Sequence, residues 1–186
     1  MILPSVQELG GNAPFIVFED ADIEQAVHAA VAAKYRNAGQ TCVSADRFII
    51  QEDIEDDFIK ALCDKVSKLK VGRGLDESTT MGPLISDSVP EILKKKVDEA
   101  IDEGAECLLG GAPLPELGPN FFEPTILRNV NTNSKIWSTE TFGPVAAITT
   151  FNHEDEAIEL ANDTCYGLAS YFCSKDMARV FRVAER

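Results

Sequence analysis

Apolar runs of strand length alternate along this chain with segments of helical periodicity, and that alternation limits the folds the chain can adopt. The first run, residues 14–18, is followed by apolar residues whose spacing places them on one face of a helix. These residues are Ile23, Val27, Ala30 and Val31. A second run, residues 47–51, precedes another helical stripe. Because strands that alternate with helices form parallel sheets covered by helices, we predict an α/β fold with a largely parallel sheet flanked by helices.

The same alternation continues to the end of the chain. Further helices are predicted at 54–69, 93–101, 154–162 and from 177 onward. Further strands are predicted at 105–109, 124–130, 145–151 and 168–173. Asp53 is placed to cap the helix that follows it, and the lysines at 94–96 are predicted to form a solvated helix face. The chain has 186 residues and shows no repeat or internal linker, so we expect one domain.

Composition argues against several classes of function. The formal net charge of −14 argues against nucleic acid as a partner, because a phosphate backbone is bound by a basic surface. We expect no membrane partner, since no apolar run is long enough to span a bilayer, and no signal peptide is recognised. The five cysteines include no Cys-x-x-Cys pair, which favours a reducing compartment over a disulfide framework or a zinc site. His28 and His153 lack metal-ligand spacing, so no metal site is predicted.

The stretch from Arg36 to Cys42 offers a candidate nucleophile. Gly39 stands where a glycine with positive φ would end the preceding helix, which places Cys42 on the turn after that helix. A catalytic thiol needs such a position, held by the fold and open to a substrate. The alternative is that Cys42, one of five cysteines, only fills the core.

A second candidate group lies just before the first apolar run. Glu8 is followed by the pair Gly10 and Gly11, and such a pair forms a tight turn that can present the acid at the mouth of a site. A carboxylate near a thiol suits two-step acyl chemistry, in which sulfur attacks and the acid then activates water. The alternative is a solvated glutamate that only precedes a turn.

Three motifs are spread along the chain. They are Glu8-Leu9-Gly10-Gly11-Asn12, Gly39-Gln40-Thr41-Cys42 and Glu140-Thr141-Phe142-Gly143-Pro144. In this order and spacing they resemble three successive signatures of the aldehyde dehydrogenase superfamily. The resemblance continues at residues 82–85 and 121–125 and covers nearly the whole chain. Within that superfamily, residues 34–42 are most similar to succinate-semialdehyde dehydrogenases.

The resemblance implies the catalytic roles of two residues. Cys42, as a thiolate, would attack the aldehyde carbon to give a thiohemiacetal, which becomes a thioester when hydride passes to NAD or NADP. Glu8 would then activate the water that releases the carboxylic acid. The reaction implied is NAD(P)-dependent oxidation of an aldehyde, with succinate semialdehyde as the favoured substrate.

The resemblance also implies binding roles for four residues. Glu140 would accept hydrogen bonds from the hydroxyls of the nicotinamide ribose, with Phe142 packed near that ribose. Leu9 would lie beside the nicotinamide of NAD or NADP. Arg36 would hold the carboxylate of the substrate, for which a guanidinium offers two parallel donors. The alternative for Arg36 is an exposed arginine at a helix end, where the helix dipole favours a positive charge.

Members of that superfamily are longer than this chain. They have a dinucleotide-binding domain before the first motif and closing strands after the last helix, and neither is recognisable in the sequence. We therefore expect residues 1–186 to be an aldehyde dehydrogenase catalytic domain without the N-terminal dinucleotide-binding domain and the C-terminal closing segment. The larger parent enzyme is expected to be a homo-oligomer of the cytoplasm or mitochondrial matrix, and the isolated chain is expected to be inactive as a dehydrogenase. Two alternatives stay open, namely a cofactor-independent thiol esterase and a non-catalytic interaction module.

Overall fold

The computed structural model describes residues 8–186, and within them six strands form one sheet. The strands are β1 (Ala13–Val17), β2 (Ala45–Gln51), β3 (Glu106–Leu109), β4 (Thr125–Arg128), β5 (Val145–Phe151) and β6 (Tyr171–Cys173). Their spatial order is β3-β4-β5-β2-β1-β6, and every neighbouring pair is parallel except β3 with β4. The predicted fold class, a largely parallel sheet flanked by helices, is confirmed.

Six helices accompany this sheet in the described part of the chain. They are α1 (Ile23–Tyr35), α2 (Glu55–Val66), α3 (Val89–Asp102), α4 (Lys135–Ser138), α5 (Glu154–Asn162) and α6 (Met177–Ala184). The side chain of Asp22 caps α1 by accepting a hydrogen bond from the backbone of Gln25. The core centres on β2 and β5, where Phe48, Ile49 and Ile148 are fully buried. An unbroken apolar run of this kind is typical of a strand covered on both faces.

Two local predictions were wrong. The helix α1 ends at Tyr35, four residues before Gly39, and Arg36–Gly39 forms a 3₁₀ turn instead. Gly39 does take the predicted positive φ, at +73°, but it follows two residues that are also left-handed, Asn37 and Ala38. Asp53 does not cap α2, because it lies inside a 3₁₀ turn and the N-cap residue is Ile54. A four-residue helix, α4, was not predicted, since it is too short to show a period.

The strand order explains how distant motifs meet. The strands β2 and β1 are parallel neighbours, and so are β2 and β5, so the amino ends of all three lie at one edge of the sheet. We call this edge the amino edge. Residues 8–12 lead into β1, residues 36–44 into β2 and residues 139–144 into β5. Each of the three motifs therefore reaches the amino edge, although they are far apart in sequence.

Candidate functional site

A cavity of about 480 Å³ opens at the amino edge. Its lining is formed by Glu8, Leu9, Gly10, Gln40, Thr41, Cys42, Glu140 and Phe142. Five of the six residues singled out in the sequence thus line one cavity. The sixth, Arg36, is exposed and is not among the described residues that line the cavity. The turn that begins at Arg36 leads directly to Gln40, which does line it.

The first and second motifs touch through their backbones. A Cβ atom added to Gly11 would lie 1.9 Å from the carbonyl oxygen of Cys42, so that only a glycine fits between the two segments. Cys42 itself is partly buried and is a free thiol. The glycine pair recognised in the sequence therefore does more than make a turn, because it lets the first motif lie directly on the backbone of the candidate nucleophile.

The second and third motifs are in the same close contact. A Cβ atom on Gly39 would lie 2.1 Å from the carbonyl oxygen of Gly143, and the φ of +73° at Gly39 also disfavours any larger residue. The side chain of Gln40 then ties this turn to a neighbouring loop by accepting a hydrogen bond from Ile85 N at 2.8 Å. The turn before Cys42 is thus fixed on two sides.

Glu140 links the third motif to the first. Its Oε1 atom accepts a hydrogen bond from Gly11 N at 2.9 Å, and its Oε2 atom would lie 3.0 Å from a Cβ placed on Gly10. No donor to Oε2 is found among residues 8–186. The carboxylate is therefore oriented by one oxygen while the other remains available to a ligand in the cavity.

Two apolar side chains of the lining are exposed. Leu9 is 61% exposed and Phe142 is 40% exposed, although both are large enough to favour burial. Phe142 also has a φ of +49°, a conformation that costs free energy for a residue with a side chain. Such strain persists only where the surrounding structure enforces it, and it is concentrated at functional sites. The cavity thus offers an apolar surface beside a carboxylate.

Two adjacent residues of β2 hold the amino edge from opposite faces of the sheet. Asp46 lies on the face of α1, where its carboxylate accepts hydrogen bonds from Lys34 Nζ at 2.6 Å and Thr141 N at 2.9 Å. Arg47 lies on the face of α5 and donates from Nε to Asn12 O at 3.0 Å. Burial lowers the pKa of Arg47, while the nearby carboxylates oppose that change. The start of β2 therefore anchors both the first and the third motif.

Lys96 corrects a sequence-based prediction. The lysine run was predicted to be a solvated face, but Lys96 is half-buried and its ammonium donates to Glu140 O at 2.8 Å and to Thr139 Oγ1 at 3.1 Å. Burial lowers the pKa of Lys96, although the charges of Asp46 and Glu140 raise it in part. The prediction does describe Lys95, which is exposed.

Three residues that hold the site, namely Lys34, Asp46 and Lys96, were not predicted from the sequence. A signal existed for Lys34, because it continues the buried stripe of α1 eleven residues after Ile23, and it is fully buried. A lysine on such a stripe indicates a buried partner. Asp46 and Lys96 carried no comparable signal, because their roles depend on which strands become neighbours.

Residues 8–186 contain no group of three His, Cys, Asp or Glu side chains arranged to hold a metal ion. None of the helices described there combines the length and apolar character needed to cross a membrane. The five cysteines are all free thiols.

Comparison with known proteins agrees with the resemblance seen in the motifs. The model of the aldehyde dehydrogenase family matches residues 2–186. Among curated proteins, the glutarate-semialdehyde dehydrogenase of Pseudomonas putida is 50% identical over 96% of this chain, which covers 36% of that protein. The NADP-dependent succinate-semialdehyde dehydrogenase of Escherichia coli is 49% identical over 96% of the chain, which covers 37% of that enzyme.

Solved structures give the same result. A succinate-semialdehyde dehydrogenase from Burkholderia pseudomallei superposes with a TM-score of 0.93 at 49% identity, over 96% of this chain and 37% of that one. The chain thus spans little more than a third of the length of the proteins it matches.

Proposed function

This chain belongs to the aldehyde dehydrogenase family, and we propose that it is the catalytic domain of a longer enzyme that oxidises an aldehyde to its carboxylic acid with NAD or NADP. The observation that carries this proposal is the single cavity lined by Cys42, Glu8, Glu140 and Phe142. A thiol that acts as nucleophile and a carboxylate that acts as base are groups that this reaction needs, and Glu140 and Phe142 line the same cavity.

The chemistry assigned to the chain's own residues has two steps. The Sγ atom of Cys42, as a thiolate, forms a bond to the aldehyde carbon and gives a thiohemiacetal, and loss of hydride from that carbon leaves a thioester. Glu8 then accepts a proton from a water molecule, whose oxygen attacks the thioester carbon. The carbon–sulfur bond breaks, the carboxylic acid leaves, and the thiolate of Cys42 is restored.

The residues at the cavity fit a nicotinamide cofactor, which supplies the hydride acceptor when bound. The oriented carboxylate of Glu140 has one oxygen free of described donors, and this oxygen would accept from ribose hydroxyls. The exposed side chains of Leu9 and Phe142 would cover the apolar faces of the nicotinamide and ribose.

The proposed substrate is succinate semialdehyde. The two curated relatives described above are named for succinate and glutarate semialdehyde, and both of these substrates carry a carboxylate at the far end from the aldehyde. We assign recognition of that carboxylate to Arg36, which begins the turn that leads to Cys42. Its exposed position leaves the guanidinium accessible for such a contact.

We further propose that the longer enzyme is a homo-oligomer and works in the cytoplasm or the mitochondrial matrix. The relatives include a bacterial enzyme and a human succinate-semialdehyde dehydrogenase whose name places it in mitochondria, 48% identical over 96% of this chain. The isolated chain is proposed to be inactive as a dehydrogenase, so titration with NAD and NADP should show no micromolar binding. An affinity in that range would contradict this part of the proposal.

The reactivity of Cys42 towards iodoacetamide, measured for each cysteine by mass spectrometry, tests the site itself. The other cysteines serve as internal controls, because burial raises the pKa of the Cys63, Cys107 and Cys173 thiols while Cys165 is exposed. We expect Cys42 to react faster than Cys165 by about tenfold, since the nucleophile of such a site is activated and accessible. Equal rates would mean that residues 1–186 do not activate it.

An esterase assay separates the proposed function from its nearest alternative. Hydrolysis of a nitrophenyl ester needs a nucleophile and a base, and Cys42 and Glu8 line the same cavity. We expect release of nitrophenol by the chain to be lost in Cys42→Ala and reduced in Glu8→Gln. Hydrolysis that survives Cys42→Ala would show that this thiol is not the nucleophile.

A further inference from the structure

A buried ion pair contacts the third motif but does not line the cavity. Asp46 is 2% exposed and Lys34 is fully buried, and the two side chains meet at 2.6 Å. Neither residue is among those that line the cavity at the amino edge. A charged pair out of contact with solvent is weak evidence for stability, because its desolvation offsets its attraction. The presence of the pair at this position therefore needs an explanation other than stability.

The second oxygen of Asp46 supplies that explanation. It accepts a hydrogen bond from the backbone of Thr141 at 2.9 Å, and Thr141 is buried between Glu140 and Phe142. Both neighbours line the cavity. Because an oriented carboxylate accepts strongly from a backbone N–H, Asp46 sets the position of the segment that carries the two proposed cofactor contacts. Lys34 in turn fixes the carboxylate by bonding its first oxygen.

The backbone of residues 140–142 needs contacts of this kind to keep its conformation. Phe142 has a left-handed φ of +49°, and a residue of this kind keeps that conformation only when its surroundings impose it. The same segment has a second contact, in which Lys96 donates to Glu140 O at 2.8 Å. The segment is thus fixed by a carboxylate from β2 and by an ammonium from α3.

We propose that Asp46, whose buried charge is paired with Lys34, is a positioning residue that holds Glu140 and Phe142 in place for the cofactor. The proposal rests on the proposed function in naming the cofactor, but the placement of the segment can be tested without it. Asp46 acts through Thr141 and is given no contact with substrate or cofactor.

Two double variants separate positioning from folding. Lys34→Met with Asp46→Leu replaces the pair by apolar side chains and removes the acceptor for Thr141 N. Lys34→Met with Asp46→Asn also removes both charges but keeps an oxygen that can accept from Thr141 N. Both variants are expected to fold, because buried pairs tolerate replacement as a pair better than loss of one partner. The exposed pair Lys94 and Asp98, changed to Met and Asn, is the matched surface control.

Amide exchange measured by NMR gives the first readout. In the Leu variant we expect exchange at Thr141 to rise by about tenfold or more, while amides in the middle of β5 keep their protection. In the Asn variant exchange at Thr141 should stay within about threefold of the unchanged chain. Equal protection in all variants would overturn the proposal. Loss of cooperative unfolding in both double variants, or a uniform rise in exchange, would also overturn it, because the pair would then serve folding alone.

Binding of NADP to the same proteins gives the second readout. Where the unchanged chain binds NADP, the Leu variant should bind about tenfold more weakly and the Asn variant equally well. Equal affinity in the Leu variant would overturn the link to the cofactor. Absence of NADP binding by the unchanged chain is the result proposed above for the isolated chain. In that case Thr141 exchange still decides the positioning role, so a failure of cofactor binding is distinguished from a failure of the positioning proposal.

Discussion

The amino edge and the opposite, C-terminal side of the sheet are held together by different kinds of contact. At the amino edge, backbone lies on backbone at Gly11 and Gly39, and the charged side chains of Lys34, Asp46 and Arg47 are buried. On the C-terminal side, α6 has no buried residue, and Met177 and Phe181 are exposed. The backbone contacts at the site therefore leave no space for a larger residue, whereas α6 is attached to the sheet without burying any of its residues.

The attachment of α6 centres on Asp20, in the loop after β1. One oxygen of Asp20 accepts from Ser174 Oγ and from the backbones of Lys175 and Asp176 at 2.7–2.8 Å, and the other accepts from Arg179. The guanidinium of Arg179 also lies 4.6 Å from the centre of the Phe18 ring. These contacts are polar and partly solvated, so each one contributes little and all can adjust.

The difference teaches that precision and tolerance are distributed unequally over one sheet. A close backbone contact leaves no alternative arrangement, so a small change at the amino edge must move whole segments. Long side chains at α6 can reorient around a change. We therefore expect mutations of similar size to have effects that differ by region.

Gly11→Ala should be the most damaging of these changes. The added methyl would lie 1.9 Å from Cys42 O, which is backbone and cannot rotate away. We expect the free energy of unfolding to fall by about 3 kcal/mol, the upper end of the cost of overpacking, and the alkylation rate of Cys42 to change. Urea unfolding measures the first quantity and mass spectrometry the second.

Gly74→Ala is the matched control for that change. No atom lies within 4 Å of a Cβ built on Gly74, and its φ is not in the left-handed region. The substitution should leave the free energy of unfolding equal or raise it by up to about 1 kcal/mol, by restricting the unfolded chain. Equal changes in the free energy of unfolding for Gly74→Ala and Gly11→Ala would contradict the contrast between tightly packed and tolerant regions.

Arg179→Met should have an intermediate effect on the C-terminal side. It removes the ion pairs of Arg179 with Asp20 and Glu154 and the contact with Phe18, but it keeps an apolar side chain. We expect a loss of about 1–2 kcal/mol in the free energy of unfolding, with no change in Cys42 alkylation. A change in the alkylation rate would show that α6 and the amino edge are coupled.

Acid should weaken the C-terminal attachment, with a smaller effect than the loss of Arg179. Burial raises the pKa of the Asp20 carboxyl, but hydrogen bonds from residues 174–176 and the charge of Arg179 outweigh it and lower that pKa overall. Hydrogen bonds from Arg182 likewise lower the pKa of Glu154. Since both values are lower in the folded state, the stability they contribute is present above the unfolded pKa values of about 4 and is lost as pH falls through the folded ones.

The variant Asp20→Asn provides the measurement. Its deficit in the free energy of unfolding should be below about 1 kcal/mol and constant above about pH 5, and it should shrink as the pH is lowered from there to about pH 2. Gly11→Ala removes no charge, so its deficit in the free energy of unfolding should not vary over that pH range. A deficit of Asp20→Asn that grows in acid would contradict the direction of the pKa shift.

Features that depend on a local pattern could be predicted from the sequence, whereas contacts that depend on which strands become neighbours could not. Periodicity and turn residues were sufficient to predict α2 and β5 closely, and the three motifs pointed to five residues that share one cavity. The hydrogen bond from Thr141 to Asp46 joins residues 95 positions apart, and no local pattern reports such a contact. The left-handed φ of Ala38 was not predicted either, because alanine has no local preference for that conformation.

The order of the strands also governs when this protein can assemble during its synthesis. Gly11 and its hydrogen-bond partner Glu140 are 129 positions apart, and β1 must pair with β6, the last strand within residues 8–186, as well as with β2. Sheets with such distant pairings form slowly, because long loops must close before their contacts are gained. A nascent chain therefore carries Cys42 before the third motif exists, since that motif begins 98 residues later at Glu140 (140 − 42), and the surroundings of this thiol are completed only after residue 144 has been added.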